Sequence, residues 1–300
     1  VDGIFFDYAV FLNISNDHIG PNEHASFEEY LHYKKQLLQH SAVCLVNRDD
    51  GHFADIAQGA AARIETFSLE QEADAWAEGI RYIREHDFVG VEFRMKGMWD
   101  LALRVNVPGR FNVYNALAAA GVCSHLGLDK ERVRHALEHI QVDGRMEIVH
   151  RSPKCTVIVD YAHNAVSMES LLMTLRDYRP KRLVCLFGCG GNRAKDRRYS
   201  MGEIGGRLAD LCIITADNSR FENVEDILAD IKTGLARTDG AYLEIPDRRE
   251  AIEYSLAHAQ EGDMIAIIGK GHEDYQEIRG VRYPFLDRSV VREAAARLGL

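Results

Sequence analysis

The chain has 300 residues, 46% hydrophobic and 27% charged, with a formal net charge of −10 at pH 7. That length suits two domains, the composition is that of an ordinary globular protein, and the acidic balance argues against a nucleic-acid footprint. There is no apolar span of membrane length, no membrane insertion is expected and no signal peptide stands out; the six cysteines form no C-x-x-C pair and mostly sit in apolar runs, the pattern of reduced, buried thiols in a cytoplasmic setting.

In chain order, Val-Asp-Gly leads almost at once into an apolar run, Tyr8 to Ile14, of strand length. This abrupt start predicts that a segment precedes Val1. The run ends in a polar loop, Ser15 to His24, and Ser26-Phe-Glu-Glu29 reads as a capping box that opens a helix. Strands are expected at Ala42–Val46, Ala62–Phe67, Phe88–Met95 and Trp99–Val105. An alanine-rich helix begins near Pro108, and a second helix follows Asp129 as N-cap. Val142-Asp-Gly-Arg145 is the candidate hinge. Beyond it the pattern becomes regular βα alternation, with strands at Thr156–Val159, Arg182–Phe187, Leu211–Thr215, Tyr242–Ile245 and Met264–Ile268. The expectation is an α/β protein with a partial central α/β domain over residues 1–142 and a doubly wound, Rossmann-like domain over residues 143–300.

Three strands of the second domain end in unusual polar sets. The first is Gly188-Cys-Gly-Gly-Asn-Arg193, followed by Lys195, Arg197 and Arg198; the second is Thr215-Ala-Asp-Asn-Ser-Arg220; the third is Gly269-Lys-Gly-His-Glu-Asp-Tyr275. Strand ends of a parallel sheet line one crevice, so these residues should converge. Arg193 and Arg220 can each fork onto a carboxylate, while Asp217 and Glu273 can hold an ammonium. Together they fit a zwitterionic amino acid. Taken singly, Asp217-Asn218-Ser219 also fits an Asx turn that caps the next helix, and the glycines of the other two sets also fit tight turns. Asp160-Tyr-Ala-His163 can hold a ribose or a metal-bound phosphate, or simply cap a helix. In the first half, His18 beside Asp17 suits either a metal ligand or a hydrogen-bonded structural histidine, and Lys34, at an amphipathic helix boundary, suits a snorkelling lysine.

Seven stretches, in this order and spacing, resemble the Mur ligases: Asn16-Asp-His18, Gly109-Arg-Phe-Asn-Val-Tyr-Asn115, Gly144-Arg-Met-Glu147, Asp160-Tyr-Ala-His163, Gly188-Cys-Gly-Gly-Asn-Arg193, Asp217-Asn-Ser-Arg220 and Gly269-Lys-Gly-His-Glu-Asp-Tyr275. The resemblance covers essentially the whole chain. It is strongest to the branch that adds the third amino acid to UDP-N-acetylmuramoyl-L-alanyl-D-glutamate in peptidoglycan synthesis. It implies an ATP-dependent amide ligase that works with Mg²⁺ as a cytoplasmic monomer. Lys34 then matches a lysine that the family carbamylates, and His18 a metal-binding histidine. Asn115, Arg145, Asp160 and His163 match positions near the nucleotide, and His24 lies in a loop expected to approach the UDP-sugar peptide. Arg193, Asp217, Asn218, Ser219, Arg220, Gly269 and Glu273 match the pocket for the incoming diamino acid.

The departures from the family pattern are specific. No G-x-x-x-x-G-K-[ST] occurs, so the phosphate loop is expected upstream of Val1 together with a metal-binding glutamate, and the 300 residues alone are expected not to hydrolyse ATP. The Asp-Asn-Pro-Arg signature of diaminopimelate-adding members reads Asp217-Asn-Ser-Arg220. The retained arginine favours meso-diaminopimelate, while a long loop at Gly20–His24 resembles some lysine-adding members. Two rivals remain. A nucleotide-dependent oxidoreductase would need a G-x-G-x-x-G after the first strand of the second domain, where Asp160-Tyr-Ala-His-Asn-Ala165 has none; a non-catalytic Mur-like binding module would fit the lack of a phosphate loop.

Overall fold

The computed structural model describes residues 3–15, 24–85 and 88–300. Its backbone separates into two units, residues 1–82 with 90–140, and residues 83–89 with 141–300.

The first unit is built from β1 (Phe6–Phe11), α1 (Phe27–Gln39), β2 (Ser41–Asn47), α2 (Phe53–Ala57), β3 (Arg63–Ser68), β4 (Ala75–Arg84), β5 (Val89–Gly97), β6 (Leu101–Val105), α3 (Phe111–His125) and α4 (Lys130–Glu138), the last residues of β4 and the first of β5 grouping with the second unit. The strands form one sheet in simple sequence order. β1 to β4 run parallel, and β5 pairs with β6 antiparallel. β2 is the apolar spine: Cys44 and Val46 pack with Leu38 and Tyr30 of α1 and Ile56 of α2. The Ser26 hydroxyl accepts from Glu29 N at 3.3 Å, as the capping box requires, but the Glu29 carboxylate turns back to Ala25 N rather than to the cap's own N–H. β1 stops at Phe11, three residues before the expected Ile14, and α2 and β4 were not expected at all.

The second unit runs β7 (Glu147–Arg151), β8 (Cys155–Asp160), α5 (Ala165–Asp177), β9 (Arg182–Phe187), α6 (Lys195–Leu208), β10 (Leu211–Ile214), α7 (Val224–Leu235), β11 (Tyr242–Glu244), α8 (Arg248–Ala257), β12 (Asp263–Ile268), β13 (Tyr275–Ile278), β14 (Val281–Pro284) and α9 (Asp287–Leu298). Its main sheet has the order β11-β10-β9-β12-β8-β7. All pairings are parallel except that of β7 with β8. β8 and β12 are buried along their whole length, which is why their centres, Val157–Val159 and Met264–Ile268, read as continuous apolar runs rather than alternating ones. Being parallel, β8, β9, β10 and β12 bring their C-terminal ends to one edge. β13 and β14 form a separate antiparallel hairpin there.

All six cysteines are free, and five are buried. Burial pushes the Cys212 thiol up to about 12, so it packs as a small apolar group. Among the described residues no helix is long and apolar enough to cross a membrane.

Candidate functional site

The strand ends of the second unit enclose a cleft of about 240 Å³. Arg193, Asp217, Asn218, Arg220, Gly269, Glu273 and His163 line it, together with Tyr161 and Arg197. The three polar sets therefore converge. They do so through close backbone approach: Gly191 N donates to Asn218 O at 2.8 Å, and any Cβ on Gly191 would run into the Ser219 carbonyl. Gly269 has φ +112°, and a Cβ there would come within 2.6 Å of Asp217 Oδ2. Glycine at these two positions is a steric requirement of the cleft.

Arg220 is held in an unusual state, with φ +49°. The hairpin supplies the restraint. Arg220 N donates to Glu277 O at 3.0 Å, and Arg279 N donates to Arg220 O at 2.5 Å. Its guanidinium is also oriented: Nη1 donates to Gly191 O at 2.7 Å, and Nε lies 3.4 Å from Glu277 Oε2. A left-handed arginine in a cleft is strain located where a ligand would use it.

The cation cluster divides into two pairs. Arg193 and Arg197 line the cleft. Arg198, 1% exposed, faces away from it: it makes two bonds of 2.8 Å to Glu222 and one of 2.9 Å to Asp230, and Lys195 also pairs with Asp230. These two are structural. Glu222 accepts in addition from Asn192 N, so the Arg198–Glu222 pair ties the glycine loop to the loop after β10. The Arg198 guanidinium beside Glu222 holds that carboxyl down to about 2, from an ordinary value of 4.5. A carboxyl depressed in the folded state contributes stability that is complete above its unfolded value and is lost as pH falls through the folded one. Glu222 is thus expected to contribute to acid destabilisation between pH 4.5 and about 2. Glu222→Gln should flatten that part of the curve, as measured by urea unfolding at about pH 6 and about pH 3; an identical slope in the variant would count against the assignment.

The remaining residues are placed differently. Ser219 is buried beneath Gly191 and is not part of the lining. Asp160 is also buried. Burial pushes its carboxyl up, against backbone N–H bonds from Met146 and Ala162, both 2.7 Å, and the nearby charge of Arg145. Its oxygens are engaged by the main chain, so it ties the Gly144–Met146 turn to β8. Arg145 is exposed, with its guanidinium 4.9 Å from the Tyr161 ring centroid. His163 is exposed and donates from Nδ1 to Tyr161 O at 2.9 Å, which leaves Nε2 outward.

Lys34, His24 and Asn115 belong to the first unit. Lys34 is exposed on α1, with Nζ 5.3 Å from the Tyr30 ring centroid. That is a cation–π setting. His24 rests against Tyr30 and Tyr33, with centroids 5.2 and 5.4 Å apart. Asn115 donates to Asn112 Oδ1 at 2.9 Å on the exposed side of α3. His18 lies outside the described residues. Among the described residues no three His, Cys, Asp or Glu side chains cluster as a metal site.

The sequence did not single out Lys270, Glu222, Glu277 or Arg248, all of which shape the cleft from behind. Lys270 stands inside a stretch already noted, and Glu222 follows Arg220 by two residues. Arg248 carried no signal.

Residues 144–271 match the Mur ligase glutamate ligase domain, and residues 1–123 the Mur ligase middle domain. The chain is 38% identical over 299 residues to the UDP-N-acetylmuramoyl-L-alanyl-D-glutamate–2,6-diaminopimelate ligase of Caldanaerobacter subterraneus, covering 99% of the chain and 61% of that protein. The ligase of the same name from Aquifex aeolicus is 38% identical over 292 residues, 96% of the chain and 58% of that protein. A solved structure of a ligase of that name superimposes with a TM-score of 0.72 at 34% identity, over 98% of the chain and 61% of that structure. MurC of Thermotoga maritima, with a TM-score of 0.66 at 19% identity, covering 98% of the chain and 60% of that structure, shares the fold. The chain spans about three fifths of the length of the curated relatives it matches.

Proposed function

The chain belongs to the Mur ligase family, and from that premise we propose that it serves the ATP-dependent addition of meso-diaminopimelate to UDP-N-acetylmuramoyl-L-alanyl-D-glutamate in the cytoplasm. The observation that carries this reading is the cleft, whose lining brings together two guanidinium side chains, Arg193 and Arg220, and two carboxylates, Asp217 and Glu273. Those are the groups an amino acid with a second carboxylate needs at its two ends. ATP activates the acceptor carboxylate by transferring its γ-phosphoryl group. The amine attacks the resulting acyl phosphate, forms the amide bond, loses its proton and releases inorganic phosphate. Such chemistry asks the protein mainly for positioning and charge neutralisation. In this chain Arg145 and His163 are exposed and free to meet the nucleotide, whereas Asp160 acts by fixing the turn that carries Arg145. His18 and a carbamylated Lys34 are the residues that would hold Mg²⁺, which would supply neutralisation of the phosphate charge.

Calorimetric titration of the 300-residue chain with meso-diaminopimelate and L-lysine tests the reading. Binding of diaminopimelate about 10-fold or more tighter than lysine is expected. Equal affinity for the two would reassign the amino acid, and binding of neither would remove the ligase reading of the cleft. Incorporation of labelled diaminopimelate into the UDP-linked dipeptide by a protein that carries this chain behind a phosphate-loop segment checks the chemistry.

A further inference from the structure

Lys270 stands two residues beyond the end of β12, after Gly269, and is fully buried, 0% exposed. A buried ammonium costs several kcal/mol to desolvate and is kept only where its partners repay it. Its Nζ donates to Glu273 Oε2 at 3.1 Å and to Asn218 Oδ1 at 3.2 Å. Asn218 Nδ2 donates to the same Oε2 at 2.9 Å, and Glu277 N donates to Asn218 Oδ1 at 2.9 Å. Both donors on Glu273 thus meet one oxygen. Among the described residues no donor reaches Oε1, and Glu273 lines the cleft. Asp217 repeats the pattern: Oδ1 accepts from Asn218 N at 2.6 Å, while Oδ2 lies beside Gly269.

From this geometry we propose that Lys270 is a positioning residue for the attacking amine: it pins one oxygen of Glu273, locks the Asn218 amide, and so turns the other oxygen of Glu273 into the cleft beside Asp217. The proposal rests on the amino-acid reading of the cleft. Two carboxylates brought together disfavour each other's charge, and a cation fixed behind them relieves that repulsion. Lys270, Asp217 and Glu273 together carry one net negative charge, the complement of one ammonium. Arg193, Arg197 and Arg220 stand on the cleft walls, and Arg248 lies beneath, close enough for its charge to be felt by Asp217 and Glu273. None of these four forms a hydrogen bond to Glu273 among the described residues, which leaves its orientation to Lys270 and Asn218.

The test separates amine recognition from general disruption. The chain, K270M and K270R are titrated calorimetrically with meso-diaminopimelate and with pimelate, the same dicarboxylate without its amines. K270M should weaken diaminopimelate by about 10- to 100-fold, leave pimelate within about 3-fold, and be largely rescued in K270R. Equal losses for both ligands, or no loss for either, would overturn the proposal. A ligand-free readout keeps the two readings distinguishable. Crystal structures of the chain and of K270M should differ in the Asn218–Glu273 bond, 2.9 Å in the unaltered chain and broken in the variant. A bond that persists in K270M defeats the role of Lys270 even if diaminopimelate binds; a bond that breaks supports it even if the ligand reading fails. K270Q serves the same comparison should K270M not fold.

Discussion

Asp287→Ala is expected to lower the unfolding free energy by about 3–5 kcal/mol, the cost of stranding a buried charge. Arg248 and Asp287 are both 0% exposed. They are joined by bonds of 2.8 and 2.7 Å. Burial alone would strip Arg248 of its proton more readily, and the adjacent Asp287 more than restores it. The pair is more than a staple between α8 and α9. Arg248 also donates to Ala216 O at 3.3 Å and to Ile268 O at 3.1 Å. Those carbonyls immediately precede Asp217 and Gly269, so one guanidinium sets the spacing of two walls of the cleft. Replacing both partners by apolar residues of similar size, Arg248→Met with Asp287→Leu, should recover much of the lost stability, because no charge is then stranded. It should not recover diamino-acid binding, since the two carbonyls lose their common donor. Urea unfolding with parallel calorimetry reads both effects. A single-variant loss under about 1 kcal/mol would show that the pair is better hydrated than its burial implies.

The second large effect concerns ligand choice. Arg220→Ala should remove about 1.5–3 kcal/mol from diaminopimelate binding, roughly 10- to 150-fold, while changing lysine affinity little. The reasoning is geometric. Nε and Nη1 of Arg220 already face Glu277 and Gly191, so the ligand meets a guanidinium whose rotation is fixed in advance. A preset fork gains selectivity because little side-chain entropy remains to be lost on binding. The ratio of the two dissociation constants measures the effect. A ratio unchanged by the substitution would mean that Arg193, not Arg220, reads the second carboxylate.

Much of this was legible before any coordinates. The apolar runs at Arg182–Phe187 and Met264–Ile268 are β9 and β12 almost residue for residue, because strands buried on both faces leave no room for polar interruption. β4 was not legible. Ala75–Arg84 mixes Glu78, Gly79 and Arg81 into a strand whose faces are only partly covered, and no period survives. At the cleft, the three polar strand ends were legible because parallel strands deliver their ends to one edge. Arg198 misled: in sequence it is one of four neighbouring cations, yet helical spacing along α6 sends it inward to Glu222 while Arg197 remains at the cleft. The backbone bonds of Asp160 were not legible, since a carboxylate that satisfies backbone N–H groups looks no different in sequence from one that does not. Partners distant in sequence, such as Arg248 with Asp287, 39 residues apart, leave no local trace.

The β13–β14 hairpin has a bearing on how such a protein diversifies. Its residues are partly or wholly exposed along both strands, and it stands outside the main sheet, yet its backbone is what clasps Arg220. Sequence drift there would cost the fold little while re-aiming the Arg220 guanidinium, the group proposed to read the ligand. Divergence of amino-acid preference can therefore proceed by retouching this small flap, with the buried framework beneath it left intact.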